Sequence, residues 1–436
     1  MLSLFKLLFI LSTGTITFAS PSRRPVDPPL LKRDNINPSF SNPNAEPVGI
    51  VIDPTVQRDS CVTSPTLVNG RSFWLCRDTD KLTNEDITTI NPFIVHSSAA
   101  WSNMTSSGPE LLPIPPASQQ GNTQLTYNYT SQLLQYPPGY TKGGYVPYVV
   151  GGDECSNTFG DPGTDCAPTT EVIIYPNSPA YPVASPSGST FMALYEPIIN
   201  TTNTANDNIE CSLYFLGYNH SSNLTTLPTI SLWKEAFFPK GAYCYGSYGG
   251  IVNEVDNYLY LYGQTYNRSS TALARVPLNE YLNINEYQYY YNNGTWSNVQ
   301  PHVDDADANL NGQFVQPATP GVPAQGYGQG TFFYSDYVGR YVWLGQTHFE
   351  QWEPGVQVGV STSANPYGPW TAAQNITLLP HGNPFGYSSV VHPEMSTNDQ
   401  DVWLSYTAYV RLNDTNYYTQ PLYKFEWSSS SASPGL

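Results

Sequence analysis

The sequence predicts an all-β protein with the architecture of a five-bladed β-propeller. Of its 436 residues, 34 are Tyr, 39 are Pro and 33 are Gly, and only 12% are charged. Aromatic side chains fit the pleated surface of a strand, and Gly and Pro fit tight turns. No long helical periodicity of apolar residues is visible, and a short motif recurs five times. Together these observations favour many short antiparallel strands.

The recurring motif is a turn followed by an apolar strand that ends in a polar residue. Its copies read NGRSFWLCRDT, GSTFMALYEP, DNYLYLYGQT, VGRYVWLGQT and DQDVWLSYTA. Their central positions are Trp74, Met192, Tyr260, Trp343 and Trp403. Fourteen residues upstream of the centres lie Ser60, Ser178, Gly246, Gln329 and Ser389. Four residues downstream of them lie Asp78, Glu196, Gln264, Thr347 and Thr407.

Each copy predicts a pair of strands, of which the first carries small side chains and the second carries bulky ones. In a propeller, the innermost strands crowd around a central channel and need small side chains, whereas the second strands pack blade against blade. Five such pairs fit the blades of a five-bladed propeller. A β-sandwich also contains many short strands, but it does not explain this ordered pairing.

Four segments are predicted along the chain. Residues 1–19 have the apolar run and small-residue exit of a secretory signal peptide. Residues 20–47 are Pro-rich and are either a pro-segment cleaved after Arg33 or a solvated linker. The propeller is expected over residues 48–427, and a Ser-rich tail over residues 428–436. No other apolar segment approaches the ~20 residues of a membrane span. We expect a secreted, extracellular monomer.

The net charge, the cysteines and the sequons predict which ligands and covalent modifications the protein has. A formal net charge of −17 opposes nucleic-acid binding. Six cysteines in a secreted chain indicate disulfides, and the favoured of several connectivities is Cys61–Cys76, Cys155–Cys166 and Cys211–Cys244. Their spacing matches no zinc site, and no metal or other cofactor is predicted. Sequons predict glycosylation at Asn103, Asn128, Asn200, Asn219, Asn223, Asn267, Asn293, Asn375 and Asn413.

The first motif predicts a pair of carboxylates. If Cys61 and Cys76 are bonded across a hairpin, the same register places Asp59 opposite Asp78. Opposed side chains have Cβ atoms about 4.5–5.5 Å apart, and two carboxylates held that close split their pKa values. A glycosidase needs such a pair, with one general acid and one base or nucleophile. Alternatively, the arginine that precedes each aspartate neutralises it in a salt bridge at a blade edge.

Four further residues are candidates for substrate binding, namely Glu196, Gln329, His392 and Glu394. Glu196 occupies the position of Asp78 in the second motif, as a third acid, a sugar ligand or an exposed strand end. Gln329 belongs to the inner strand of the fourth unit. His392 and Glu394 follow the inner strand of the fifth, where they either face the channel or form a turn.

The sequence lacks the motifs of several other kinds of functional site. The acidic run at 302–309 has neither the Gly nor the closing Glu of an EF-hand loop, which favours a solvated loop over a calcium site. Glu254 and Asp256 are expected at a solvated hairpin turn. No G-x-S-x-G elbow, phosphate-binding loop or dinucleotide fingerprint occurs in a suitable context.

Several segments resemble a known family. They are VQRDSC with NGRSFWLCRDT, YPNSP, TALARVPLNEYLNINEYQYYYNNGTW, and GQGTFFYSDYVGRYVWLG with VGVSTSANPYGPW. They are similar to secreted bacterial and fungal propellers formerly labelled domain of unknown function 4185. Part of that family is classed with endo-D-arabinanases, in glycoside hydrolase family 183. The resemblance spans roughly residues 48–427, and ARVP followed by EYQYYYNNGTW is its most specific piece.

The resemblance implies a glycan-cleaving site at the mouth of the propeller channel. Two aspartates carry that site in the family, and the matching positions are Asp59 in QRDS and Asp78 in CRDT. Bacterial members usually have Gly-Asp after the aromatic strand, whereas here Cys76-Arg77 precedes Asp78. The cysteine-stapled hairpin resembles a separate, fungal-type branch. This departure leaves the substrate open.

The combined hypothesis is a secreted glycoside hydrolase that acts on a neutral polysaccharide, with arabinofuranosides among the candidate sugars. The alternatives are a non-catalytic, lectin-like propeller and a propeller that serves as a cell-wall or host-interaction scaffold. Two adjacent carboxylates favour the hydrolase, because a lectin gains nothing from acids that repel each other.

Overall fold

The described part of the chain is built from short strands. The computed structural model describes residues 38–51, 56–77, 79–81, 94–95, 97–113, 123–125, 145–146, 172–174, 176, 178–183, 189–200, 210–219, 226–264, 271–291, 293–303, 329–347, 355–380, 386–412 and 415–429. Two 3-10 turns lie wholly within these ranges, at Ile284–Glu286 and Pro393–Met395. The first strand, β1, covers Pro47–Val51.

The first blade contains two ladders that share one register. Its strands are β2 (Val56–Arg58), β3 (Val62–Thr63), β4 (Arg71–Cys76), β5 (Thr79–Lys81), β6 (Ile94–Val95), β7 (Ser98–Thr105) and β8 (Gly108–Pro109). Strands β3, β4, β7 and β8 pair in that order, and β2, β5 and β6 form a smaller sheet. Strand β2 precedes β3 and β5 follows β4, so the smaller sheet prolongs the inner hairpin of the blade.

The next strands form two short pieces and the second blade. The pieces are β9 (Leu112–Pro113) and β10 (Thr123–Leu125). The second blade comprises β11 (Val172–Ile174), β12 (Tyr181–Val183), β13 (Ser189–Asn200), β14 (Cys211–Asn219) and β15 (Thr229–Phe238). Strand β12 is its inner strand and pairs with β13, which also pairs with β11 and β14.

Blades three and four are antiparallel sheets whose strands pair in chain order. The third contains β16 (Gly249–Asn253), β17 (Tyr258–Gln264), β18 (Thr271–Pro277), β19 (Gln288–Tyr290) and β20 (Trp296–Ser297). The fourth contains β21 (Gly330–Ser335), β22 (Arg340–Gln346), β23 (Val356–Ser363) and β24 (Gln374–Leu379).

The fifth blade joins the two ends of the described chain. It contains β25 (Gly386–Val391), β26 (Asp401–Leu412) and β27 (Thr415–Glu426), and β1 pairs antiparallel with β27. Strands β10 and β9 extend the sheet beyond β1. An early strand thus completes the last blade and closes the ring, so the predicted five-bladed β-propeller is confirmed.

Adjacent blades pack through alternate residues of the second strands. In β17, Leu259 and Leu261 are buried in a cluster with blade two, whereas Tyr260 and Tyr262 are buried in a cluster with blade four. Tyr262 stacks on Phe332 of blade four with ring centroids 3.8 Å apart. This division follows from the period of two in a strand, which sends neighbouring side chains to opposite faces. All five motif centres lie in such second strands and are buried.

The inner strands contact one another in the order β12, β16, β21 and β25, and they surround the channel. Glycine makes this approach possible. A Cβ on Gly250 would lie 2.7 Å from the Tyr260 carbonyl oxygen and 2.8 Å from the Tyr181 ring. The expectation of small residues around the channel is met at such positions.

Two of the three expected disulfides are present. Cys61–Cys76 ties the inner strand of blade one to the second strand, and Cys211–Cys244 ties the start of β14 to the segment that enters blade three. Cys155 and Cys166 lie outside the described residues.

Candidate functional site at the channel mouth

Inner strands β3 and β25 lie side by side and run in the same direction. The Ser60 hydroxyl bonds to that of Ser388 at 2.9 Å, and the Thr63 hydroxyl bonds to His392 Nδ1 at 2.8 Å. From the first contact to the second, the residue number increases along both strands, so the two strands are parallel. The end of the channel at which the inner strands begin, called the mouth here, therefore contains Asp59, Ser60 and Ser388.

The hairpin that carries Asp59 keeps the predicted register on both sides of a local irregularity. Arg58 pairs with Thr79, and Val62 pairs with Leu75, which are positions of one register. The pairing of residue 59 with residue 78 is the prediction that this register makes for the positions in between. Asp78 itself lies outside the described residues.

The irregularity lies at Ser60, which has a φ of 43°. A serine in this left-handed region interrupts the regular alternation of a strand. The Ser60 amide donates to the Thr407 hydroxyl at 2.9 Å in blade five, and the Arg77 amide donates to the Asp59 carbonyl at 2.9 Å. The register prediction treated residues 56–63 as one unbroken strand, whereas the strand is interrupted at Ser60.

Asp59 lies in a pocket of hydroxyl groups and is only 9% exposed. The Ser60 hydroxyl donates to Asp59 Oδ1 at 2.5 Å. The Tyr387 hydroxyl also forms a hydrogen bond with the Asp59 carboxylate, and it is bonded in turn to the hydroxyl of Tyr418. Burial raises the pKa of both tyrosines far above the usual range, and the negative charge of Asp59 raises each pKa further.

Arg77 reaches across the channel. Its Nε donates to the carbonyl oxygen of Pro176 at 3.2 Å in blade two, and its Nη2 donates to Gln329 Oε1 at 3.0 Å in blade four. Arg58 is buried, and its Nε donates to the Ser98 hydroxyl at 3.2 Å within blade one. The Arg58 guanidinium is therefore buried in blade one, whereas Arg77 is half-buried at the mouth. A salt bridge between either arginine and the aspartates stays a prediction.

Glu196 and Gln329 both belong to the mouth end of their blades. The pairing of Tyr181 with Ala193 places residue 196 opposite residue 178, just before the inner strand of blade two begins. Glu196 is fully buried, so it is not an exposed strand end. Burial raises the pKa of Tyr181, and the charge of Glu196 adds to that rise. Gln329 directly precedes β21 and holds Arg77.

His392 and Glu394 lie at the opposite end from Asp59. His392 follows the last residue of β25, and its ring bonds to the hydroxyls of Thr63 and Ser405, each at 2.8 Å. It is completely buried, and this burial lowers its pKa to about 3. Glu394 belongs to a 3-10 turn, and burial raises its pKa to about 8. The structure does not bring these two residues together with Asp59.

The channel below the mouth is narrow and largely apolar. All five blades contribute to its wall, which includes Val62, Thr63, Pro179, Tyr248, Gly249, Gly330, Phe332, Val390 and Val391. Among the described residues, no group of three His, Cys, Asp or Glu side chains could hold a metal ion. Most of the acidic run at 302–309 lies outside those residues.

Five of the nine predicted glycosylation sites lie within the described residues. Asn103, Asn219, Asn293 and Asn375 are exposed. Asn200 ends β13. The other four, Asn128, Asn223, Asn267 and Asn413, lie outside the described residues.

The residues that sequence reasoning missed are Arg77, Tyr387 and Tyr418. Arg77 was considered only as a partner of the aspartates. Tyr387 directly follows the first residue of β25, so its position beside the small inner-strand residues was the available signal. With 34 tyrosines in the chain, no pattern distinguished these two from those that pack between blades.

Part of the sequence matches the model of a family that has no assigned function. The matching family model is described as Domain of unknown function (DUF5005) and covers residues 217–423, less than half of the chain. This label differs from domain of unknown function 4185, so the resemblance to glycoside hydrolase family 183 and to its fungal-type branch stays a prediction. No curated protein matches the sequence significantly.

Solved structures share the architecture at low sequence identity. A Bacteroides ovatus protein, provisionally described as a hydrolase, superposes with a TM-score of 0.54 at 15% identity, over 88% of this chain and 87% of that one. A family 117 glycoside hydrolase from Zobellia galactanivorans gives 0.41 at 10% identity, over 92% of both chains. The GH43_1 enzyme from Xanthomonas citri, complexed with xylose, gives 0.41 at 11%, over 88% and 90%. The first comparison shows a shared fold.

No helix in the described ranges is long and apolar enough to cross a membrane.

Proposed function

We propose that this chain is a secreted glycoside hydrolase that cleaves a neutral polysaccharide at the channel mouth, with Asp59 and Asp78 as its carboxylate pair. The observation that carries the proposal is the position of Asp59, an almost buried carboxylate among hydroxyl donors where the inner strand of blade one begins. The register of the hairpin supports Asp78 as its partner. The fold shared with a provisionally described hydrolase agrees with this class of enzyme.

The two carboxylates have different tasks in this proposal. Hydrogen bonds from hydroxyl groups favour the charged form of a carboxylate, which suits Asp59 as the base or nucleophile. Asp78 then protonates the oxygen of the leaving sugar. A separation of about 5–5.5 Å between the carboxyl groups corresponds to a retaining mechanism, and one of about 6.5–9.5 Å to an inverting mechanism.

The proposed substrate contacts also lie at the mouth. Gln329 and Arg77 span the channel there and offer hydrogen-bonding groups to sugar hydroxyls. Glu196 is fully buried beside this end of blade two, so we assign it a supporting role behind the substrate. His392 and Glu394 are not part of the proposed site, because they lie at the other end of the inner strands.

The alternative is a non-catalytic carbohydrate-binding or cell-wall and host-interaction propeller. The observation that favours it is the number of hydroxyl and amide groups at the mouth, which suit sugar binding as well as sugar cleavage. Under this alternative, Asp59→Asn weakens glycan binding but no glycan is ever cleaved.

Digestion of a glycan panel by the purified full-length protein tests the proposal. The panel includes arabinans and other neutral polysaccharides, and the size of every product is recorded. Wild type is compared with Asp59→Asn, Asp78→Asn and the control Asp336→Asn, which changes an exposed aspartate in the turn of blade four. Cleavage by wild type and the control, but not by the two mouth variants, supports the enzyme. Binding without cleavage by any form supports the alternative.

Four finer features belong to the same proposal. Arabinofuranosides are the first sugars to test, because of the family resemblance. Residues 1–19 are removed on secretion, and residues 20–47 precede the propeller as a pro-segment or linker. The propeller is assigned to residues 48–427, and Phe40, upstream of it, packs on Phe425 of the last blade. The mature protein is a glycosylated extracellular monomer.

A further inference from the structure

Two chains of hydroxyl groups converge on Asp59 from blade five. In the first chain, Ser388 bonds to Ser60 at 2.9 Å and Ser60 bonds to Asp59 Oδ1 at 2.5 Å. In the second, Tyr418 bonds to Tyr387, and Tyr387 bonds to the same carboxylate. Tyr387 lies in β25 and Tyr418 in β27, so this second chain crosses the width of β26.

The direction of these hydrogen bonds follows from the acceptor at their end. Each hydroxyl has one proton to donate, and an ionised carboxylate can only accept. Tyr387 therefore gives its proton to Asp59 and accepts one from Tyr418. Charge-assisted hydrogen bonds of this kind are shorter and stronger than neutral ones, so the chain restrains the carboxylate as well as satisfying it.

We propose that Tyr387, supported by Tyr418, is the positioning residue that holds the Asp59 carboxylate in its working orientation at the mouth. This inference rests on the proposed hydrolase function. Tyr387 acts through Asp59, since its hydroxyl is already occupied by the carboxylate on one side and by Tyr418 on the other. The two tyrosines connect Asp59 to the blade in which the ring of blades closes, because β25 and β27 belong to the blade that β1 completes.

The ionisation of the two tyrosines agrees with this arrangement. After burial, the charge of Asp59 is the largest cause that raises the pKa of each tyrosine. The hydrogen bond to Tyr387 also raises the pKa of Tyr418.

A double-mutant cycle tests the pairing without any substrate. Thermal midpoints are measured at pH 7 for wild type, Tyr387→Phe, Asp59→Asn and the double variant. We expect Tyr387→Phe to lower the midpoint in the presence of Asp59 and to have a clearly smaller effect in Asp59→Asn. Tyr406→Phe is the control, because Tyr406 is a buried tyrosine of the same blade whose hydroxyl donates to the Pro380 carbonyl oxygen. Its effect should be the same with and without Asp59.

Catalysis tests the positioning role on the glycan that wild type cleaves fastest. The contribution of a hydrogen bond to a charged group corresponds to roughly a 10–100-fold change in a rate, so Tyr387→Phe should lower kcat by about that factor with little change in KM. The acid limb of the kcat/KM profile should move to higher pH, because the donor that favours the charged carboxylate is gone. Tyr418→Phe should shift the limb in the same direction by less, and it replaces Tyr387→Phe if that variant does not fold.

Three results would overturn the inference. Additive midpoints in the cycle would show that Tyr387 and Asp59 do not interact. Non-additive midpoints with an unchanged pH profile would reduce the tyrosine to a purely structural role. Non-additive midpoints in a protein that cleaves no glycan would refute the proposed function, and with it any positioning role in hydrolysis.

Discussion

Ser60 and Ser388 are 328 residues apart in the chain, and their hydroxyl groups form a hydrogen bond of 2.9 Å. The bond joins the inner strand of the first blade to that of the last blade, next to Asp59. The candidate site therefore lies at the junction where the ring of blades closes. Changes that loosen this junction are expected to affect activity and stability together.

The Cys61–Cys76 disulfide is expected to stabilise the fold and to maintain the site. It closes a loop of 15 residues, for which the loss of chain entropy corresponds to about 3 kcal/mol. Replacing both cysteines by alanine should lower the free energy of unfolding by about that amount and also reduce glycan cleavage. Urea unfolding and activity assays measure the two effects.

Cys211 and Cys244 provide the matched comparison, since they form a disulfide between blades two and three. Their replacement should cost stability but leave the activity of the folded fraction close to wild type. An unchanged urea midpoint in the Cys61/Cys76 variant, or equal loss of activity in both variants, would contradict the special role of the first bridge.

The buried pair at the far end of blade five predicts an unusual dependence of stability on pH. Glu394 holds its proton up to about pH 8 in the folded state, whereas its ordinary pKa is 4.5, so stability falls as pH rises through this window. His392 stays neutral down to about pH 3, whereas its ordinary pKa is 6.5, so stability falls as pH drops below 6.5. The two slopes oppose each other between pH 4.5 and 6.5, where a broad maximum is expected.

Single variants separate the two limbs. Glu394→Gln should flatten the alkaline limb and leave the acid limb, and His392→Asn should do the reverse. Thermal melts from pH 3 to 9 measure both limbs. A maximum near pH 8 in wild type, or an alkaline limb that persists in Glu394→Gln, would show that these groups do not control the profile.

Gly250→Ala tests the close packing of the inner strands. The added methyl group would lie within 2.8 Å of a backbone oxygen and of the Tyr181 ring, so neither neighbour can yield easily. Overpacking of this kind typically costs about 1–3 kcal/mol. Calorimetry should show a lower melting temperature, and a melting temperature equal to that of wild type would mean that the inner strands are more widely spaced than described.

Two sequons differ in how well they can accept a glycan. Asn293 accepts hydrogen bonds from the amide and the hydroxyl of Thr295, through its side-chain oxygen. Asn375 uses its side-chain nitrogen as a donor to Gln357 and its oxygen as an acceptor from Thr347. Glycopeptide mapping of protein secreted by a eukaryotic host should show higher occupancy at Asn293 than at Asn375. The reverse order would contradict this prediction.

The repeat made the fold predictable, whereas the site was predictable only in outline. Buried motif centres such as Trp74 and Trp343 mark second strands, because bulky residues are needed between blades. Cysteine spacing also led to the register around Asp59. Contacts such as Tyr387 with Asp59 join distant parts of the chain, and no local pattern encodes them. The left-handed conformation of Ser60 was equally hidden, since serine carries no signal for it.

The most direct test of the central claim is the rate at which Asp59→Asn cleaves the best glycan substrate of the wild-type protein. General acid or base catalysis contributes about 10²–10⁴-fold, so the account predicts a loss of at least about 100-fold in kcat with a folded protein by circular dichroism. Asp78→Asn should show a similar loss, and Asp336→Asn should retain full activity. Wild-type rates in folded Asp59→Asn would contradict the account, since cleavage would then depend on another group.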